Sequence, residues 1–194
     1  RGAAPLSARG RADAARLAER LHDVPIARVV SSPLERAADT AAILAPPAVT
    51  VETDDRLAEL DYGAWEGLTV EQIDERFPGE FARYEADPAA HEVGGGESGS
   101  EVAARLRPLI DELVAWAGAS AGEAPRNVLV VGHSSVNRVL LALLMGTPLA
   151  DYRRRWESDW ASLSVLRWES AGSGPKLLLC NDVAHVRGTS GVTW

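Results

Sequence analysis

The sequence predicts an α/β fold with a mostly parallel central sheet, and two strand-to-helix junctions carry that prediction. In one, Val128-Leu129-Val130-Val131 passes through Gly132 into His133-Ser134-Ser135 and a long apolar-patterned segment. Four consecutive aliphatics bounded by turn residues have the pattern of a strand covered on both faces, as in parallel sheets. In the other, Ile26 to Ser31 reads as a short strand leading into Ser32-Pro33-Leu34-Glu35-Arg36. Ser32 suits a helix N-cap and Pro33 the first helical position. A length of 194 residues, 46% hydrophobic and 25% charged, suits one α/β domain with a sizeable core, spanning 1–194.

Taken in order, the chain starts in a loop-like Arg1 to Pro5. Ser7 then caps a helix running through Leu21, with Ala14, Ala15, Leu17, Ala18 and Leu21 as its apolar face. After the Ile26 junction, Val49 to Glu52 is a weak strand. Arg56 to Gly67 mixes acids, aromatics and glycines without a period, the composition of a functional loop. Thr69 with Glu71 and Gln72 opens a short helix ending before Pro78, and Phe81 to Glu85 adds a turn or two. Gly94-Gly95-Gly96 is a break. Ser98 and Glu101 fit a capping box for a helix carrying Val102, Leu106, Leu109, Ile110, Leu113 and Val114. Gly118 to Pro125 is a loop before the Val128 strand. The next helix places Val136, Val139, Leu140, Leu143 and Leu144 on one face, and Gly146 and Pro148 stop it. Leu163 to Trp168 and Lys176 to Cys180 read as a closing hairpin.

Composition narrows the function. Net charge is −8 with scattered basic residues, which argues against nucleic acid as the main partner. No apolar run reaches bilayer-spanning length, so no membrane partner is expected. Lys176 is the one lysine among 20 basic side chains, and arginine suits phosphate recognition. Cys180 stands alone, which fits a reducing cytoplasm, and the four histidines show no metal-ligand spacing. Neither a metal nor another cofactor is expected.

His133 falls at the carboxyl end of a strand, the edge at which open α/β sheets bind ligands. The amides of Ser134 and Ser135, at the start of a helix, favour an anion there. Against this stands a plain turn histidine. Arg36 occupies the first turn of the other junction, a position where most arginines simply extend into solvent.

Four blocks in order resemble the histidine phosphatase superfamily, with its phosphoglycerate mutase-like fold. They are Pro5-Leu6-Ser7-Ala8-Arg9-Gly10, Ser31-Ser32-Pro33-Leu34-Glu35-Arg36-Ala37, Glu59-Leu60-Asp61-Tyr62-Gly63-Ala64-Trp65-Glu66-Gly67 and Gly132-His133-Ser134. Gly95-Gly96-Glu97-Ser98 and Asn181 to His185 are weaker matches. The resemblance implies a three-layer α/β/α sandwich and a phosphatase whose histidine is transiently phosphorylated, splitting one hard step in two. It makes Arg36, His133 and Ser134 the phosphate-binding residues, with Arg36 and His133 also in the catalytic set. Glu59 is the general acid and later the base for water, ahead of Asp61. Cationic donors then stabilise the charge on the transferring phosphoryl group. Tyr62, Trp65 and Glu97 are weaker candidates for the substrate side, and the partner is a small phosphorylated metabolite. Oligomeric state is not legible.

The family's Arg-His-Gly block, which carries the nucleophile, belongs ahead of Pro5-Leu6. None of the four histidines stands in that place, so Arg1 is read as a truncation point and the fragment as inactive. Three other readings compete. Mutase-type phosphoryl transfer is disfavoured by the short segment between Gly67 and Gly94. A non-catalytic phosphate binder would lack the nucleophile block altogether. In an esterase, Ser134 would be the nucleophile with Asp182 and His185, but Val136 occupies the place of the elbow's second glycine.

Overall fold

A computed structural model of the chain describes residues 4–118, 126–169 and 173–187. Helix α1 (Ala8–Arg20) starts where Ser7 Oγ accepts the Gly10 N–H at 3.0 Å. Strand β1 (Ile26–Ser31) and helix α2 (Glu35–Leu44) follow, then the three-residue strand β2 (Val51–Thr53). Single 3₁₀ turns at Asp55–Leu57 and Gly63–Trp65 shape the acid- and glycine-rich loop. Helices α3 (Val70–Arg76), α4 (Glu80–Ala86) and α5 (Gly99–Gly118) lead to strand β3 (Asn127–Val131) and helix α6 (Ser134–Met145). A 3₁₀ turn at Leu149–Asp151 and the short α7 (Tyr152–Arg155) come next. Strands β4 (Leu163–Arg167) and β5 (Lys176–Asp182) and helix α8 (Ala184–Arg187) close the described chain.

Strands β2, β1 and β3 form a parallel sheet in that order, and β4 and β5 pair antiparallel. The period-two alternation of side chains divides the first sheet between two cores. Val29, Leu129, Val131 and Val51 face α1 and α2, where Leu17, Ala37, Ala41 and Leu44 are buried. Val30, Val128 and Val130 face α5 and α6, against Leu106, Leu109, Val136 and Val139. The result is helix, sheet, helix: the three layers expected.

Local signals were followed where local forces decide. Thr69 and Gln72 exchange both capping-box bonds, and Ser98 and Glu101 do the same. Gly146 ends α6 at φ 67°, a left-handed cap that glycine adopts without a Cβ penalty. Three expectations shift. Ala15 is exposed while Asp13 is buried, paired with Arg16 at 2.7 Å. Helix α2 starts after Leu34, with no side-chain cap, although the Ser32 hydroxyl accepts the Leu34 N–H at 3.2 Å. Strand β3 is half-buried from Asn127 to Val130: helices cover its faces, but among the described residues only β1 pairs with its edge. The Gly118 to Pro125 loop lies at its centre outside the described residues.

Candidate active site

The site gathers at the carboxyl ends of β1 and β3, which are neighbours in register: Ser31 pairs with Val131, and the Ser32 N–H donates to the Val131 carbonyl at 2.9 Å. The two junctions therefore bring Ser32 and His133 together from 101 positions apart. His133 Nε2 lies 2.7 Å from Ser32 Oγ, which also accepts the Leu34 N–H at 3.2 Å. His133 is buried. Burial first, then the positive charges of Arg36 and Arg105, lower its pKa to about 4, so the imidazole is neutral at pH 7. A phosphate dianion beside it would act in the opposite direction, favouring the charged ring.

Glu59 reaches the same place from the loop. Its carboxylate accepts the Leu60 N–H at 2.8 Å and, at 3.3 Å each, the N–H groups of Ser135 and Val136 in the first turn of α6. Those donors and the charge of Arg36 favour the carboxylate, but burial outweighs them and raises the pKa. A raised pKa is the direction that suits a carboxyl group to proton donation. Arg36, half-buried in the first turn of α2, acts electrostatically on both Glu59 and His133. Glu59 and His133 thus both feel the Arg36 charge.

The remaining candidates are placed as follows. Tyr62 Oη lies 2.7 Å from Ser135 Oγ, and its pKa is pushed up to about 12 by burial and the Glu59 charge. Ser134 Oγ donates to the Ser158 carbonyl at 3.2 Å. His185 faces Arg20 and the Ala161 carbonyl, and Ala184 and Arg20 donate to Asp182. The Ser134, Asp182 and His185 set thus has no hydrogen bond linking the serine to the histidine among the described contacts. Trp65 is only 4% exposed, its indole edge-on to Tyr84 and tilted against Phe81, so its ring surface is used in the core. The Glu97 carboxylate is held by the Asp61 N–H and by Arg105. Two residues at the site were not singled out in the sequence: Ser32 as a partner of His133, and Arg105. The signal for Arg105 was slight, an arginine beside the apolar face of α5 and eight positions after Glu97.

Among the described residues no group of three His, Cys, Asp or Glu side chains is arranged to hold a metal. No described helix is long and apolar enough to cross a membrane.

Comparison with known proteins is consistent with this geometry. The family description of the histidine phosphatase superfamily, branch 1, matches residues 1–183. Glucosyl-3-phosphoglycerate phosphatase of Mycobacterium tuberculosis is 41% identical over 167 residues, covering 82% of this chain and 74% of that protein. Phosphoserine phosphatase 1 of Hydrogenobacter thermophilus is 32% identical over 169 residues, covering 84% and 75%. The solved complex of a mycobacterial glucosyl-3-phosphoglycerate phosphatase with inorganic phosphate superposes with a TM-score of 0.83 at 36% identity, covering 94% of this chain and 89% of that one.

Proposed function

The chain belongs to the histidine phosphatase superfamily, and from that premise we propose that it serves a phosphomonoesterase acting on small phosphorylated metabolites. The observation that carries the proposal is the convergence of Arg36, neutral His133 and Glu59, whose pKa burial raises, at one carboxyl edge. In the reaction, the guanidinium of Arg36 and the His133 ring hold the phosphoryl oxygens. Glu59 gives its proton to the leaving oxygen, then takes one from the water that cleaves the phosphoenzyme. Stabilising charge on the equatorial oxygens is the main electrostatic task of phosphoryl transfer. The resemblance assigns the role of phosphoryl acceptor to the histidine of an Arg-His-Gly block. His22 follows α1, His185 lies within α8 and His91 is exposed in a loop, and none of them is in an Arg-His-Gly block.

The two curated relatives indicate the substrate class. Glucosyl-3-phosphoglycerate and phosphoserine are both phosphate monoesters on a three-carbon carboxylic acid. Phosphoserine and 3-phosphoglycerate are accordingly the first substrates to offer. The full-length protein releases phosphate from one or both in the presence of EDTA, and Glu59→Gln and His133→Ala abolish most of that release. Phosphate binding without turnover in the full-length protein would refute the hydrolase and leave the binding protein.

A further inference from the structure

Arg105 is spent on backbone. It projects from the second turn of α5, its side chain only 18% exposed. Its Nη1 donates to the Arg56 carbonyl at 2.5 Å, and its Nη2 lies 3.5 Å from the carbonyl of Glu59 itself. The same guanidinium is locked in place by Glu97, with Nε to Oε1 and Nη2 to Oε2 both at 3.0 Å. Glu97 in turn accepts the Asp61 N–H on Oε2 at 3.0 Å and donates its own N–H to the Asp61 carbonyl at 2.9 Å. One half-buried ion pair therefore grips the loop ahead of Glu59, at Glu59 and beyond it. A planar guanidinium with several donors in fixed directions suits this task, whereas a lysine ammonium has neither the span nor the fork.

Glu59 needs such support. Its carboxylate rests on the first turn of α6, but its backbone belongs to a segment without regular structure between a 3₁₀ turn and Gly63. A general acid works only within hydrogen-bond reach of the oxygen it protonates. We propose that Arg105, locked by Glu97, is the positioning residue that sets the reach of Glu59 to the leaving oxygen. The inference rests on the reading of Glu59 as the general acid. It gives Glu97 a role behind the site instead of on the substrate side. The positive charge of Arg105, which also helps keep His133 neutral, is consistent with its place behind the reacting volume.

The test is a leaving-group comparison on the full-length protein. p-Nitrophenyl phosphate expels a stable phenolate that needs little protonation, while phosphoserine expels an alkoxide that needs a proton. Glu59→Gln is expected to lower kcat/KM, which reports the step that expels the leaving group and not the later hydrolysis of the phosphoenzyme common to both substrates, by about 10²–10⁴ on phosphoserine and far less on p-nitrophenyl phosphate. Arg105→Ala reproduces that asymmetry in kcat/KM at about 10- to 10²-fold, and Glu97→Gln follows in the same direction. Arg105→Lys, which keeps the charge and one donor direction, restores part of the loss. If Arg105→Ala does not fold, Arg105→Lys and Glu97→Gln carry the comparison, each at lower amplitude. Equal losses on both substrates from the Arg105 and Glu97 variants, with the asymmetry intact in Glu59→Gln, overturn the inference and leave the Glu59 reading standing. No asymmetry in Glu59→Gln itself overturns both.

Discussion

Gly96→Ala is the most informative test of how the Glu59 loop is built. At this position a Cβ would stand 2.7 Å from the Asp61 carbonyl carbon and 2.8 Å from the Gly63 nitrogen, with the Asp61 oxygen closer still. All three are backbone atoms, so no side-chain rotation relieves the clash. Ordinary contact begins near 3.4 Å, so segments 59–63 and 94–97 must part by about 1 Å, a shift that close-packed interiors resist. That movement breaks the Glu97 N–H bond to the Asp61 carbonyl and the Ala64 N–H bond to the Gly94 carbonyl, both 2.9 Å. Each is worth about 0.5–1.5 kcal/mol net, and overpacking adds about 1–3 kcal/mol. The expected destabilisation is about 2–6 kcal/mol, read as a lower urea midpoint at unchanged slope. A misplacement of about 1 Å near the chemistry also costs roughly 10²-fold in rate. Gly67→Ala is the control. Gly67 has φ 76° with nothing within 4 Å of its missing Cβ, so only left-handed backbone strain of about 1–2 kcal/mol applies and the rate is unchanged. If Gly96→Ala costs no more than Gly67→Ala, the reasoning about loop contact is refuted.

Three further predictions use the same structure. Leu106 is fully buried between α5 and the sheet, and Leu106→Ala is expected to cost about 2–5 kcal/mol by chemical denaturation. For Arg36→Ala, loss of a hydrogen bond to a charged group, about 1.5–3 kcal/mol, predicts roughly 10- to 150-fold weaker inorganic phosphate binding by calorimetry; unchanged affinity would remove Arg36 from the site. His133 has a folded pKa of about 4 against an unfolded value near 6.5. Above pH 6.5 it is neutral in both states, and as pH falls towards 4 the unfolded chain takes its proton first, so stability drops. Comparing urea midpoints of the wild type and His133→Gln from pH 8 to pH 4 isolates this slope, and identical pH dependence in the two contradicts a depressed His133.

The parts of this protein that the sequence made legible are those fixed by neighbours along the chain. The β3 junction, the Thr69 and Ser98 capping boxes and the Gly146 stop each depend on a few adjacent residues, and each stands where those residues place it. Long-range partners accompany the departures. Ser32 has every local quality of an N-cap and its hydroxyl accepts the Leu34 N–H, but the same hydroxyl also sits against His133 from another junction, and Leu34 takes the cap position. Strand β2 starts at Val51 because pairing with Val29 sets its register. Trp65 and Glu97, an aromatic and an acid among glycines, have the composition of a substrate rim. Their partners, Tyr84 and Arg105, lie on helices α4 and α5, and nothing in the local sequence announces either contact. Helix α7 is four residues long and carries no period, and Tyr152 at its start is buried with its hydroxyl 3.1 Å from that of Tyr84.

The central claim is that Arg36, His133 and Glu59 act on one phosphoryl group. Orthovanadate, which adopts the geometry of a phosphoryl group in transfer, tests it most directly in crystals of the full-length protein. The account predicts a vanadate at the carboxyl ends of β1 and β3, within hydrogen-bond distance of the Arg36 guanidinium, the His133 ring and the Glu59 carboxyl group. A vanadate bound elsewhere, or one held there without contact to His133 and Glu59, would contradict it.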